Sequence, residues 1–144
     1  MNTLIQENNI LLFVEHKIYI HYINNILHIE LLEEVLTEKD TNTIHETLDT
    51  FYDNCKKNNI FFYILYDFTN LSITSSSYLI YNSPIYNKHF NKHETFFISN
   101  IKSICIIIKN YVLRESLNQI IDLYKPENMP HIIENITDAD KYFL

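Results

Sequence analysis

The chain contains no glycine and no tryptophan among its 144 residues. Glycine normally fills backbone positions with positive φ, so another residue must take them here, and asparagine is the most tolerant substitute. Asparagine pairs occur at Asn24-Asn25 and Asn58-Asn59, where we expect turns. Without glycine there is no glycine-rich phosphate loop and no nucleophile elbow. The sequence therefore predicts a protein that is not an enzyme and has no cofactor.

Positive charge is scarce, and long apolar runs are missing. Eleven lysines and arginines stand against 18 acidic residues, a formal charge of −7, and the basic residues are scattered. Nucleic-acid binding needs a clustered positive face, so we expect no nucleic-acid partner.

No apolar run approaches the roughly 20 residues that span a bilayer. The first residues, MNTLIQENN, lack a basic segment and a cleavage site. We expect a cytoplasmic protein without membrane insertion.

Cysteine is also rare. Cys55 lies in a predicted helix and Cys105 in a predicted strand, and no C-x-x-C spacing occurs. Free cysteine packs as a small apolar residue, so we predict two buried, reduced thiols, which agrees with the cytoplasm.

The apolar pattern predicts an α/β fold. The length favours one domain over residues 1–144, with the polar residues 1–9 frayed. The run ILLFVEHKIYIHYINNILHIELLEEV alternates like strands, and Asn24-Asn25 predicts a hairpin. Two apolar runs, 60–68 and the run 104–108 within 101–110, predict central strands covered on both faces. We therefore expect a mixed β-sheet opened by an antiparallel hairpin, with helices packed on it.

Four further segments show helical spacing, short strand character or a helix cap. A capping box at 37–40 opens a helix that ends at Asn58-Asn59. Its predicted apolar stripe is Ile44, Leu48, Phe51 and Cys55. A second amphipathic helix is predicted from Leu113, Leu117, Ile120, Ile121 and Tyr124. The segment 131–135 predicts an edge strand, and 137–140 predicts the cap of a terminal helical turn.

This order of elements, with an aspartate ending the central strand, resembles the STAS domain (sulfate transporter and anti-sigma-factor antagonist). Its best-known members carry D-L-S-x-V-x-x-x-D-S-S-G-L, over which DFTNLSITSSSYL aligns without a gap. The resemblance implies phosphorylation of Ser76 by a partner kinase, with Ser75 and Ser77 beside it. Here Ser75 replaces the aspartate and Tyr78 the glycine of that motif.

A broader resemblance, over about 17–144, is to the divergent, mostly unassigned STAS-like proteins of Bacteroidetes. It is carried by INNILHIELL, VLTEKDTNTI, ILYDFTNLSIT, SICIIIKNYVLRESLNQIIDLYKPENMP and IENITDADKYFL. It implies a regulatory domain that docks a protein partner, including a second copy of itself, through the loop and helix after the central strand. The expected contact residues are Asp67, Thr69, Asn70, Ser72, Thr74, Tyr78, Tyr81 and Tyr86.

Several side chains leave alternatives open. The serines at 75–77 are either a helix cap or a phosphorylation site. Asp67 is interpreted as a turn residue, against a role in catalysis. His89 and His93 have the spacing of helical metal ligands, but two ligands do not make a site, so no metal is predicted. His16, His21 and His28 lie in the opening strands, where alternate positions could face one side, and they are interpreted as scattered residues on the sheet surface.

Three function classes therefore remain at the level of sequence. The first is a protein-docking domain without enzymatic activity. The second is a binder of an apolar or lipid-like small molecule, held in a groove lined by the many aromatic residues. The third is an enzyme that uses His89, His93 and Asp67, for which the sequence names no substrate.

Overall fold

The computed structural model describes residues 10–14, 18–32, 38–71, 99–124 and 130–143. These contain six strands, two α-helices and one 3₁₀ helix. The strands are β1 (Ile10–Val14), β2 (Ile18–Ile23), β3 (Ile26–Leu31), β4 (Phe62–Asp67), β5 (Ile101–Ile107) and β6 (His131–Ile133). The helices are α1 (Glu38–Lys57), α2 (Tyr111–Tyr124) and the 3₁₀ helix Ile136–Lys141. No helix among the described residues is long and apolar enough to cross a membrane.

The six strands form one mixed sheet in the order β1-β2-β3-β4-β5-β6. The pairs β1–β2 and β2–β3 are antiparallel, and β3 to β6 run parallel. The predicted α/β class, with a mixed sheet opened by an antiparallel hairpin, is therefore confirmed. The parallel strands β3 to β6 all end on one side of the sheet, which we call the carboxyl edge.

Asparagine replaces glycine at the turns, as predicted. Asn24 and Asn25 join β2 to β3 with φ values of 53° and 63°, and Asn59 after α1 has a φ of 55°. Two consecutive positive φ values are the geometry of a tight two-residue hairpin. The Asn25 side chain also accepts a hydrogen bond from the Tyr22 hydroxyl at 3.0 Å. This turn sets the register of β2 against β3.

The face of the sheet that carries α1 and α2, here called the first face, holds the main core. Strand residues from β2 to β5 pack against buried side chains of both helices. The centre of this core is aromatic, because the Phe62 ring lies 5.3 Å from Phe51 and 6.1 Å from Tyr22. Helix α1 contributes Leu48, Phe51 and Cys55 as the spacing predicted. The side chain of Ile44 is outside the described set.

The opposite face, here called the second face, is divided. Over β4 to β6 it is apolar: Leu65, Cys105, Ile107 and Ile133 pack against Ala139 of the 3₁₀ helix. Over β2 and β3 it carries half-buried polar side chains instead. Both cysteines are buried and free, which confirms that prediction.

The terminal cap was assigned to the wrong residue. The 3₁₀ helix begins at Ile136, and Asn135 precedes it without a side-chain cap. The backbone N–H of Asp138 bonds to the Asn135 carbonyl at 3.0 Å. Thr137 therefore lies inside the first turn, because β6 ends at Ile133 and only two residues separate the strand from the helix.

Candidate functional site at the carboxyl edge

A tight turn follows the central strand β4. We call residues 67–71 the docking turn, because they include three predicted contact residues, Asp67, Thr69 and Asn70. The strand ends at Asp67 because its side chain competes with the sheet for local hydrogen bonds. Its Oδ1 atom accepts bonds from the Thr69 N–H at 3.1 Å and from the Thr69 hydroxyl at 2.5 Å. The interpretation of Asp67 as a turn residue is confirmed.

Two further bonds fix the docking turn to its surroundings. The Asn70 side-chain amide donates to the carbonyl of Leu31 at 3.2 Å, which ties the turn to the end of β3. The Leu71 N–H bonds to the Phe68 carbonyl at 3.0 Å, and both of these apolar side chains are buried. The buried side chains of Phe68 and Leu71 thus hold the turn against the core, while Thr69 and Asn70 are exposed.

Two histidines lie beside the docking turn on the second face. His21 and His28 are directly opposite each other on β2 and β3, and their ring centroids are 4.7 Å apart. We call them the imidazole pair. The Nε2 atom of His28 lies 3.8 Å from Oδ2 of Asp67. That distance suits an ion pair when His28 is protonated and is too long for a good hydrogen bond.

The protonation of this cluster follows from its surroundings. The pKa of Asp67 is lowered to about 2, chiefly by its interaction with His28 and then by its bonds from Thr69, against the opposing effect of burial. The pKa of His21 is lowered by burial and, to a smaller extent, by repulsion from His28. Asp67 is therefore a carboxylate over the physiological range, and His21 favours its neutral form.

Two nitrogen atoms of the imidazole pair are buried without a hydrogen bond to any described residue. Nδ1 of His21 and Nε2 of His28 are shielded from solvent, and neither donates to nor accepts a hydrogen bond from a described residue. Buried polar atoms are nearly always hydrogen-bonded, so such exceptions deserve an explanation. The interpretation of these two histidines as scattered surface residues is wrong, since they form a contacting pair.

Exposed apolar side chains gather at the same carboxyl edge. Seven large apolar side chains among the described residues are exposed, and four of them directly follow the ends of parallel strands or the short loops after them. Those four are Leu32 at 43%, Tyr111 at 65%, Val112 at 51% and Ile136 at 52% exposure. Single exposed apolar residues are ordinary on a protein surface, and what distinguishes these four is that all of them follow the carboxyl ends of parallel strands.

Polar contacts hold the neighbouring loops of this edge together. The Lys109 ammonium donates to Oδ1 of Asn135 at 2.6 Å, which joins the loop after β5 to the loop after β6. The Arg114 guanidinium donates to the carbonyls of Ile108 and Lys109 at 3.1 and 2.9 Å and lies 5.8 Å from the Tyr111 ring centroid. These bonds connect the loop before Tyr111 to the loop before Ile136.

Helix α2 begins at this edge with a side-chain cap. Oδ1 of Asn110 accepts a bond from the Leu113 N–H at 3.2 Å. The asparagine cap places Tyr111 and Val112 at the first turn, where the helix has not yet reached the core, and Leu113 is the first buried residue. Sequence reasoning missed Tyr111 and Val112, although a capping asparagine directly before two apolar residues and a buried leucine was a readable signal.

Most of the other predicted site residues lie outside the described residues. This holds for the proposed phosphorylation sites Ser75, Ser76 and Ser77, and for His16, His89 and His93. It also holds for five of the predicted contact residues, namely Ser72, Thr74, Tyr78, Tyr81 and Tyr86. The roles of these residues therefore stay predictions.

The described residues contain no group of three or more His, Cys, Asp or Glu side chains that could hold a metal ion. No protein-family model, curated protein or solved structure matches this chain. The case for a function therefore depends on the geometry of the carboxyl edge and on the residues of the sequence.

Proposed function

We propose that this chain is a non-enzymatic, STAS-like regulatory domain that docks a partner protein through its carboxyl edge. The observation that carries the proposal is the concentration of exposed Leu32, Tyr111, Val112 and Ile136 at the edge that also holds the docking turn. Parallel α/β sheets place their ligands at this edge, because loops from several strands converge there.

The make-up of the surface favours a protein over a nucleic acid or a small ion. Apolar and aromatic side chains supply most of the binding energy in protein interfaces. Lys109 and Arg114 already bond to neutral oxygens. The acidic Glu115 follows Arg114 in the sequence, and Glu134 precedes Asn135, which is the partner of Lys109. The edge therefore carries both signs of charge, so apolar contact outweighs charge in selecting the partner.

The resemblance to STAS-like domains, drawn from the sequence, supports the same surface. In that family the loop and helix after the central strand dock the partner, and here that loop opens with the docking turn. A cytoplasmic location is part of this proposal.

The test compares two double variants of the full chain as bait in extracts of the native cells. Tyr111→Ser/Val112→Ser alters the carboxyl edge, and Ile23→Ser/Phe61→Ser removes two exposed apolar side chains at the opposite end of the strands. We expect at least one protein to be captured equally by the parent and the control and about tenfold less by the edge variant.

Self-association is tested alongside by sedimentation of the same three proteins. If the partner is a second copy, the parent and the control form dimers and the edge variant stays monomeric. A chain that is monomeric, and whose captured proteins are all indifferent to Tyr111 and Val112, contradicts the proposal.

A further inference from the structure

The segment 134–143, which we call the strap, lies on the apolar half of the second face. It contains the 3₁₀ helix Ile136–Lys141 and follows directly after β6. Its Ala139 and Phe143 pack on a cluster of strand side chains. The strand members of that cluster are Ile26, Leu65, Cys105, Ile107 and Ile133. Among the described residues, the strap supplies all of the cover that this cluster receives from outside the sheet.

Few side-chain contacts hold the strap in place. Of its ten residues, only Ala139 is buried, at 3% exposure, and alanine has a small side chain that removes little apolar surface from water. Phe143 is half-buried, with its ring centroid 5.0 Å from that of Tyr63. The rings of Tyr142 and His131 stack at the surface with centroids 3.8 Å apart. The strap therefore buries fewer side chains than either helix of the first face.

The backbone hydrogen bonds of the strap are internal to it. The N–H groups of Asp138, Tyr142 and Phe143 all bond to carbonyls of the strap itself. Within the described part of the chain, one hydrogen bond joins the strap to another element. This is the bond from the Lys109 ammonium to Asn135 at 2.6 Å, and it is exposed to solvent. Separation of the strap from the sheet therefore breaks no backbone hydrogen bond.

A segment with few buried contacts and no backbone bonds to its surroundings opens at a lower free energy than the whole fold. We propose that the strap detaches from the second face as a unit, while the sheet and both α-helices stay folded, and that this opening uncovers Cys105. Opening also moves Ile136 away from the carboxyl edge, so the closed strap presents the complete apolar group there, a consequence that rests on the proposed function. The opening itself is a property of the free protein.

The two cysteines distinguish this opening from unfolding of the whole chain. Cys105 is completely covered and belongs to the cluster under the strap. Cys55, which is 1% exposed, belongs to α1 and to the core of the first face. Burial raises the pKa of Cys55 to about 12 and that of Cys105 to about 11, so neither thiol is reactive while it is covered. Opening of the strap uncovers Cys105 alone.

The experiment measures the rate at which iodoacetamide modifies each cysteine of the folded full chain at mildly alkaline pH, with peptide mass spectrometry as the readout. Each rate is divided by the rate of the same cysteine in the urea-unfolded chain, which removes differences in intrinsic reactivity. We expect the normalised rate of Cys105 to be at least about tenfold higher than that of Cys55. Low concentrations of urea should accelerate Cys55 more steeply, because its exposure requires more surface to unfold.

Two mild variants sharpen the comparison. Ile20→Val weakens the core of the first face, whose contacts stay intact when the strap opens, so it should accelerate Cys55 several-fold and leave Cys105 unchanged. Phe143→Ala weakens the strap and should accelerate Cys105. The matched control Tyr111→Ala removes an exposed aromatic ring outside the strap and should change neither rate.

Equal normalised rates for the two cysteines of the wild type overturn the strap opening, as does an Ile20→Val variant that accelerates both alike. A Cys105 rate that is indifferent to Phe143→Ala also contradicts it. The wild-type comparison decides the question even if a variant fails to fold, because it uses two thiols of one protein. A chain whose Cys105 reacts first, but whose captured proteins are indifferent to Tyr111 and Val112, would lose the proposed function and keep the strap.

Discussion

The two faces of strands β2 and β3 differ, although both are formed by alternate residues of the same two strands. On the first face, Ile18, Ile20 and Leu27 are completely covered by the core. On the second face, the intervening positions place His21 opposite His28. Because side chains alternate along a strand, one short hairpin supplies both a rigid core wall and a row of titratable groups. In this hairpin, the fully buried side chains therefore lie on the first face and the titratable ones on the second face.

The largest effect is expected from breaking the first face. Phe62→Ala removes a fully buried ring at the centre of the aromatic core, and we expect the free energy of unfolding to fall by about 3–5 kcal/mol. Its neighbour Phe61 is 42% exposed, so Phe61→Ala serves as a matched control with an expected loss below about 1 kcal/mol. Urea denaturation measures both. Equal losses for the two variants would contradict the assignment of the faces.

A smaller effect is expected at the boundary between the second face and the docking turn. Asp67→Asn weakens the bonds to Thr69 and the attraction to His28, and we expect a loss of about 1–2 kcal/mol near neutral pH. Since the folded pKa of about 2 lies below the ordinary value of 3.8, this stability is present above pH 3.8 and is lost as the pH falls towards 2.

Denaturation at several pH values tests this dependence. The difference between wild type and Asp67→Asn should shrink as the pH falls from 4 to 2. A difference that is unchanged over that interval would show that the carboxylate contributes no charge interaction.

The acid sensitivity of His21 is the next effect in size. Its pKa is lowered in the folded state, so the unfolded chain binds the proton more readily and wild-type stability decreases as the pH falls below 6.5. We expect His21→Gln to remove part of this decrease. Thermal unfolding between pH 7.5 and 5 provides the comparison. Parallel curves for wild type and His21→Gln would contradict a lowered pKa.

The smallest effect on stability is expected at the Asn24-Asn25 turn, which sets the register of β2 against β3 and so decides which residues lie on each face. Asn24 has a φ of 53°, and it is Asn25, not Asn24, whose side chain accepts the bond from Tyr22, so Asn24→Gly should stabilise the fold by about 0.5 kcal/mol. Asn25→Gly should gain less, because it loses the bond from the Tyr22 hydroxyl. A thermal midpoint that falls for Asn24→Gly would contradict a hairpin strained by positive φ.

Local features of the fold were predictable because they depend on neighbouring residues. The Asn24-Asn25 hairpin, helix α1 and the central strand β4 all follow from turn chemistry and periodicity. The imidazole pair was also within reach: His21 lies three positions before the turn and His28 three positions after it, so a two-residue hairpin makes them opposite. This consequence of the register was missed.

The contact between His28 and Asp67 could not be predicted in the same way. It depends on the parallel pairing of β3 with β4, which are separated by the whole of α1, and no local signal fixes that register. The connection between the loops that precede Tyr111 and Ile136 likewise depends on Lys109 reaching Asn135, 26 residues away. Long-range pairing, rather than propensity, creates the candidate site.

The most direct test of docking at the carboxyl edge is site-specific photo-crosslinking in the native cells. A photoreactive phenylalanine analogue is placed at position 111 and, in a matched chain, at position 61, which is exposed at the opposite end of the strands. The account predicts a discrete crosslinked protein, or a crosslinked dimer, from position 111 and none from position 61. The same adducts from both positions, or adducts from position 61 alone, would contradict it.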